Sequence, residues 1–202
     1  WIGSIHAAFN LECLLNKNIT HVLNASGLPA TFPRNFIYFN IDVRDREESE
    51  ILGAINAACV FIEAGVEKGA VLVHCAGGRS RSAAFIAAYL MINHKLEYKN
   101  AIQKLKEARP VVSINKGFEE QLLAYEASGH NVLLSHQLML RSRMRTLLEM
   151  RQNLKNIDSG YESSVLKSRK LSIESPVSSG SFSRKNESPK NISYKVSYTS
   201  AL

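Results

Sequence analysis

A chain of 202 residues with 45% hydrophobic content can bury one substantial core, which sets the expectation of a single globular domain with room for an appendage. Three cysteines, Cys13, Cys59 and Cys75, are an odd number at wide spacing, which argues against a disulfide framework or a CxxC metal pattern and for a reducing compartment. The net charge of +7 is uneven: residues 1–130 carry 13 Lys+Arg against 13 Asp+Glu, and residues 131–202 carry 12 against 5, so the neutral part reads as the folded domain and the basic part as an extension.

No apolar run approaches the roughly 20 residues of a membrane span and no signal peptide is visible, so a soluble, cytoplasmic or nuclear protein is expected. Trp at position 1 suggests that upstream sequence is missing.

In chain order, "THVLNAS" and "NFIYFNID" have the β-branched and aromatic content of strands. "SEILGAINAACVFIEAG" then puts Ile51, Leu52, Ile55, Ala58, Cys59 and Ile62 at helical spacing and is expected to stop at Gly65. "AVLVHC" is the short continuous apolar run of a strand buried on both faces. "SAAFIAAYLMINH" and "YKNAIQKLKEARP" follow as helices, the second ending against Pro110. Helices interleaved with strands imply an α/β sandwich around a mostly parallel central sheet.

Residues 129–158 carry a further helical pattern, with Leu140, Met144, Leu147 and Leu154 on one stripe and Arg141, Arg143, Arg145 and Arg151 nearby. This basic amphipathic extension could dock on its own domain, pair with another chain, or meet an anionic membrane or a calmodulin-like partner. Residues 159–202 are serine-rich with little to bury and read as a disordered tail. "RKLS" at Arg169 to Ser172 and the Ser-Pro pairs at Ser175 and Ser188 are candidate kinase sites there.

Chemistry concentrates in "HCAGGRSRS", between the last strand and the helix after it. A strand entering a helix through a glycine-containing turn aims successive backbone N–H groups and the helix N-terminus into one hollow, which binds anions. That field favours the ionised form of Cys75, whose pKa then falls toward the range of about 3.5 to 7.5 known for activated thiols. Arg81, six residues on, can return its guanidinium over the hollow and grip two oxygens of a tetrahedral oxyanion.

These residues resemble the signature loop of the cysteine-dependent protein phosphatases: His-Cys, five residues, Arg, then Ser. The Ser-Arg-Ser ending followed by "AAFIAAYLM" is similar to the dual-specificity subfamily. The resemblance covers roughly residues 1–128: "WIGSIHAAFN" looks like the subfamily's opening strand, "ITHVLNAS" its next one, and "ARPVVSINKGFEEQLLAYE" its closing helices. One departure is Gly77, where the subfamily usually carries Ala, a change expected to alter loop flexibility without removing a reacting group.

The resemblance implies that Cys75 is the nucleophile and that the loop residues Ala76, Gly77, Gly78, Arg79, Ser80 and Arg81 hold the phosphate. Protonating the departing oxygen requires an acid, and composition leaves Asp42 and Asp45 open; the register of the subfamily's acid loop selects Asp45. Ser82 is expected to hydrogen-bond the departing thiolate and to serve as an ordinary helix N-cap. His74 orders the loop, Asn115 braces it or caps a helix, and Arg79 adds a cation for substrates with acidic neighbours. Arg81, the backbone donors and the helix terminus supply the charge stabilisation, so neither metal nor cofactor is expected.

The expected activity is hydrolysis of phosphotyrosine, phosphoserine and phosphothreonine on proteins in signalling, through a phosphocysteine intermediate and with phosphoproteins as partners. Two alternatives are the same chemistry on phosphoinositide, RNA 5′-phosphate or phosphoglycan, and a scaffold that binds phosphoproteins without hydrolysis. Retention of Cys75, Arg81 and an aspartate argues against the scaffold; nucleic acid is not an expected partner, and the oligomeric state is left open.

Overall fold

The computed structural model describes the backbone of residues 1–171 and the side chains of residues 1–157. Two strands form the centre: β2 (Ile19–Asn24) and β4 (Ala70–His74), parallel, with Val22 opposite Leu72 and Leu23 opposite Val73. β3 (Ile37–Asn40) adds in parallel to β2, and β1 (Ile2–Gly3) to β4, giving the order β1-β4-β2-β3. Successive residues of the central strands point to opposite faces, and both faces are covered. Leu23, Val71 and Val73 enter the larger core with α3 (Leu52–Lys68), α4 (Arg81–Asn93), α5 (Tyr98–Ala108) and α6 (Lys116–Ala127). Val22 and Leu72 enter a smaller core with Ala8 of α1 (Ile5–Ala8) and Leu14 of α2 (Leu11–Asn16). The continuous apolar run of β4 thus has a physical cause.

Two expectations are corrected. The opening strand is only two residues long, because Ser4 and Asn10 each start a short helix; the Asn10 side chain accepts from the Cys13 amide at 2.9 Å. The helix expected to stop at Gly65 continues to Lys68 and ends at Gly69. Gly65 is instead the point where α3 approaches the sheet: a Cβ there would lie 2.4 Å from Val71 Cγ2 and 2.8 Å from His21 Cβ.

α4 is buried almost all round, with Ala83, Ala84, Phe85, Ala87, Ala88 and Met91 fully enclosed, as expected of a central helix. Its N-terminus therefore stands in the protein interior, against the end of β4. α7 (Val132–Leu171) follows α6 through a turn in which Asn131 Oδ1 accepts from the Leu134 amide at 3.0 Å and the Ser128 and Ser135 hydroxyls meet at 2.9 Å.

The chain divides into one compact unit, Trp1–Arg151, and a second, Gln152–Leu202. In the second, the helix runs on to Leu171, past the boundary near residue 158 where it was expected to give way. Serine costs an established helix less than about 1 kcal/mol per residue, too little to stop one already nucleated. Ser172, Ser175 and Ser188 lie outside the described residues. Among those that are described, no helix is long and apolar enough to cross a membrane.

Candidate active site

Cys75 follows β4 directly, and α4 begins six residues later, so the intervening loop must curl over the helix N-terminus. Four of its backbone carbonyls are engaged by groups outside the loop. Ala76 O accepts from the Ile5 amide at 3.1 Å, Gly77 O from Arg109 Nη2 at 3.3 Å, Gly78 O from Arg109 Nε at 2.8 Å, and Arg79 O from the Ser113 amide at 3.0 Å. With the carbonyls held outward, the amides face the hollow, which is the arrangement an anion needs. Gly78 makes the curl feasible: its φ is +64°, and a Cβ would sit 2.5 Å from the Gly3 carbonyl oxygen. Gly77 carries no such demand, since a methyl there would meet only the Arg79 side chain, at 3.7 Å.

The Cys75 side chain lies in this hollow. The Gly78 amide donates to Sγ at 3.2 Å, and Ser82 Oγ is 3.3 Å away. Burial by itself pushes the thiol up; the Ser82 hydroxyl and the Ser82, Arg79 and Gly78 amides outweigh it, so the net shift is downward. Cys59, buried in α3 without such donors, is pushed up to about 12. Ser82 is fully buried and is not the N-cap of α4; Ser80 occupies that position, so one of the two roles expected of Ser82 is corrected.

Arg81 Nη1 donates to the carbonyls of Ala25 at 2.9 Å and Ser26 at 3.2 Å, which anchors the guanidinium beneath the ends of β2 and β3. Its Nε is buried with no hydrogen-bond partner, 3.9 Å from Asp45 Oδ2. A buried cationic donor of this kind calls for an anionic acceptor.

Asp45 lines the same cavity as the thiol. Its Oδ1 accepts from Ser80 Oγ at 2.6 Å and from Asn115 Nδ2 at 2.8 Å. Asn115 Oδ1 caps α6 by accepting from the Phe118 amide at 2.9 Å, and the Asn115 backbone amide donates to Ser80 Oγ at 3.2 Å. Asp45, Cys75, Gly77, Arg79, Ser80 and Asn115 line one cavity of about 290 Å³. Asp42 lines a different hollow, with Asn24 and Asn40. His74 is buried in β4, where desolvation holds its pKa below the ordinary value against an opposing backbone hydrogen bond at Cys75. That favours a neutral ring.

Three contributors escaped the sequence reading. Arg109 holds two loop carbonyls. Gln121 accepts from the Ile51 amide at 2.8 Å and donates to Ser49 O at 2.7 Å, clamping the end of the Asp45 loop. Gly117 admits the Glu47 carbonyl, which would lie 1.8 Å from a Cβ. The only signals were an arginine before Pro110 and a glycine at a helix start, and neither pattern specifies what it touches.

A loop of outward carbonyls around an activated thiol, with an arginine and an aspartate converging on it, defines a cysteine-based phosphate site. The chain belongs to the dual-specificity phosphatase catalytic-domain family, whose model, "Dual specificity phosphatase, catalytic domain", matches residues 1–128. It is similar to Dual specificity protein phosphatase 1 of Arabidopsis thaliana, at 40% identity over 130 residues, covering 63% of this chain and 66% of that protein. To Dual specificity protein phosphatase 19 of Mus musculus the identity is 40% over 127 residues, covering 62% and 58%. The chain thus spans less than two thirds of the length of either relative. The crystal structure of human DUSP28 resembles it with a TM-score of 0.61 at 36% identity, over 63% of this chain and 90% of that one.

Proposed function

We propose that this protein is a phosphatase that hydrolyses phosphotyrosine, phosphoserine and phosphothreonine in proteins through a phosphocysteine intermediate. The observation that carries the reading is the Cys75 thiol, drawn toward ionisation by the Ser82 hydroxyl and the Ser82, Arg79 and Gly78 amides, in the cavity that Asp45 also lines. In the first step Cys75 Sγ attacks phosphorus, the S–P bond forms, and the P–O ester bond breaks as the leaving oxygen takes the Asp45 proton. The loop amides and Arg81 Nε hold the phosphoryl oxygens, where charge spreads in the transition state. In the second step water attacks phosphorus and gives a proton to Asp45, and the S–P bond breaks while Ser82 hydrogen-bonds the departing thiolate.

The subfamily's compact domain and a cavity of about 290 Å³ support a shallow site open to all three phosphoamino acids. Arg79 at its rim supports substrates with acidic neighbours. Three free cysteines among the described residues support a reducing location, which we take as the cytoplasm or nucleus, in a signalling role. Regulation by kinases at Ser172, Ser175 or Ser188 rests on sequence motifs alone.

The test is turnover of an aryl phosphate and of a phosphopeptide panel, set beside lipid and RNA phosphates. Cys75→Ser abolishes turnover, Arg81→Ala loses turnover and phosphate affinity together, and Asp45→Ala slows substrates with poor leaving groups most. A wild-type chain that binds phosphopeptides yet releases no phosphate would show a scaffold instead.

A further inference from the structure

The Gly78 amide donates to Cys75 Sγ at 3.2 Å, and the amides of Arg79 and Ser82 act on the same sulfur. Ser82 belongs to the first turn of α4, but Gly78 and Arg79 stand in the loop, where no regular element fixes their direction. A trans peptide group is planar, with its N–H and C=O pointing in opposite directions. The Gly78 amide therefore shares a plane with the Gly77 carbonyl, and the Arg79 amide with the Gly78 carbonyl. These are the two carbonyls that Arg109 holds, through Nη2 at 3.3 Å and Nε at 2.8 Å. The carbonyls on either side, of Ala76 and Arg79, accept from the neutral amides of Ile5 and Ser113, and the amides in their planes, of Gly77 and Ser80, are not among those that lower the thiol. We propose that Arg109 is a positioning residue for the nucleophile: its fork grips two peptide planes from behind, and so aims and polarises the two loop amides that face Cys75 Sγ.

Two physical effects act together. The peptide between Gly77 and Gly78 has a glycine on both sides, so it turns about its flanking bonds more freely than any other in the loop. A half turn would present oxygen to the sulfur in place of N–H, and a donor clamped on the carbonyl prevents it. Donation from a charged group to a carbonyl also makes the N–H of the same peptide a stronger donor, a cooperative gain of about 10–30% per bond. Arginine suits the task, because its rigid fork reaches two acceptors at once and keeps its charge at every pH at which the protein works. Arg109 is not among the residues that line the cavity, so it acts on the sulfur without occupying the place of the phosphate.

The charged and titratable groups around the thiol are Asp45 and Arg79 on the cavity wall, Arg81 at 3.9 Å from Asp45, and the buried His74 that precedes the thiol. All four are present in any Arg109 variant. A change in the titration of Cys75 between variant and wild type therefore belongs to Arg109.

The test is the rate of iodoacetamide labelling at Cys75 in the full chain across about pH 5 to 9, read by peptide mass mapping so that Cys13 and Cys59 are counted separately. Arg109→Met keeps an unbranched stem and removes every donor. Its labelling curve is expected to move to higher pH, with Cys75 roughly three- to tenfold slower on the acid limb, the worth of about one ordinary hydrogen bond. Arg109→Gln, which keeps a neutral donor, and Arg109→Lys, which keeps the charge without the fork, are expected to fall between Met and wild type, and they carry the same test should the Met variant not fold. A curve that stays in place while the thermal midpoint falls shows a merely structural arginine and overturns the proposal. So does a Lys variant equal to wild type beside a Gln variant equal to Met, which would show long-range charge in place of the fork. The inference deepens the phosphatase reading and rests on it for one consequence, an acid limb of kcat/KM moved to higher pH in Arg109→Met. Labelling needs no substrate, so a failed tether and a failed phosphatase assay are told apart.

Discussion

Ser82 carries two effects through one hydroxyl 3.3 Å from Cys75 Sγ. It draws the thiol pKa down, so its removal leaves less thiolate at any pH below that pKa. In Ser82→Ala the acid limb of kcat/KM therefore moves to higher pH, and breakdown of the phosphocysteine slows. A hydrogen bond to a charged group is worth about 1.5–3 kcal/mol, so kcat falls roughly 10- to 100-fold, with a burst of leaving group ahead of a slow steady state. A pH–rate profile and rapid-mixing kinetics check this, and Ser82→Thr restores both properties. The two loop glycines separate just as sharply. Gly78→Ala drives a methyl into the Gly3 carbonyl at a positive φ and costs both activity and thermal stability, whereas Gly77→Ala leaves the aryl phosphatase rate within about twofold and shifts stability by less than about 1 kcal/mol. The departure at Gly77 is thus one the loop can absorb.

At the scale of elements, α6 organises the acid side of the site through its first turns. Asn115 caps it and holds Asp45, Gly117 lets the Glu47 backbone against it, and Gln121 satisfies Ile51 N and Ser49 O. Gln121→Ala leaves those buried backbone groups unpaired at a cost of about 1–3 kcal/mol, and its loss of rate is larger for poor leaving groups than for good ones, because it loosens the loop that presents the acid. Chemical denaturation and a leaving-group series measure the two effects. Helix periodicity was legible around α3, but Gly65 was not, because a glycine that stops a helix and one that lets it approach a sheet look alike in a string of letters. The buried strands could be read directly, since a continuous apolar run has few other uses.

Over the whole molecule, the two buried thiols, Cys59 and Cys75, are shifted in opposite directions. Cys59 is closed off within the α3 core and pushed up to about 12, while Cys75 is lowered and opens onto the cavity. Brief iodoacetamide treatment near neutral pH, followed by peptide mass mapping, is expected to label Cys75 and spare Cys59, and inorganic phosphate slows the Cys75 reaction. Equal labelling of the two would mean that the loop does not activate its thiol.

The sequence alone determined the parallel α/β layering, the strand–loop–helix that holds Cys75 and Arg81, and the change from a neutral domain to a basic extension, because each is written in contiguous residues. Only the tertiary structure decided that Arg109 holds two of the loop carbonyls, that Gly117 admits the Glu47 backbone, and that Gln121 clamps the end of the loop carrying Asp45. Those outcomes depend on contacts between segments distant in the chain, and a local pattern reports a residue's own backbone preference without naming what will be packed against it.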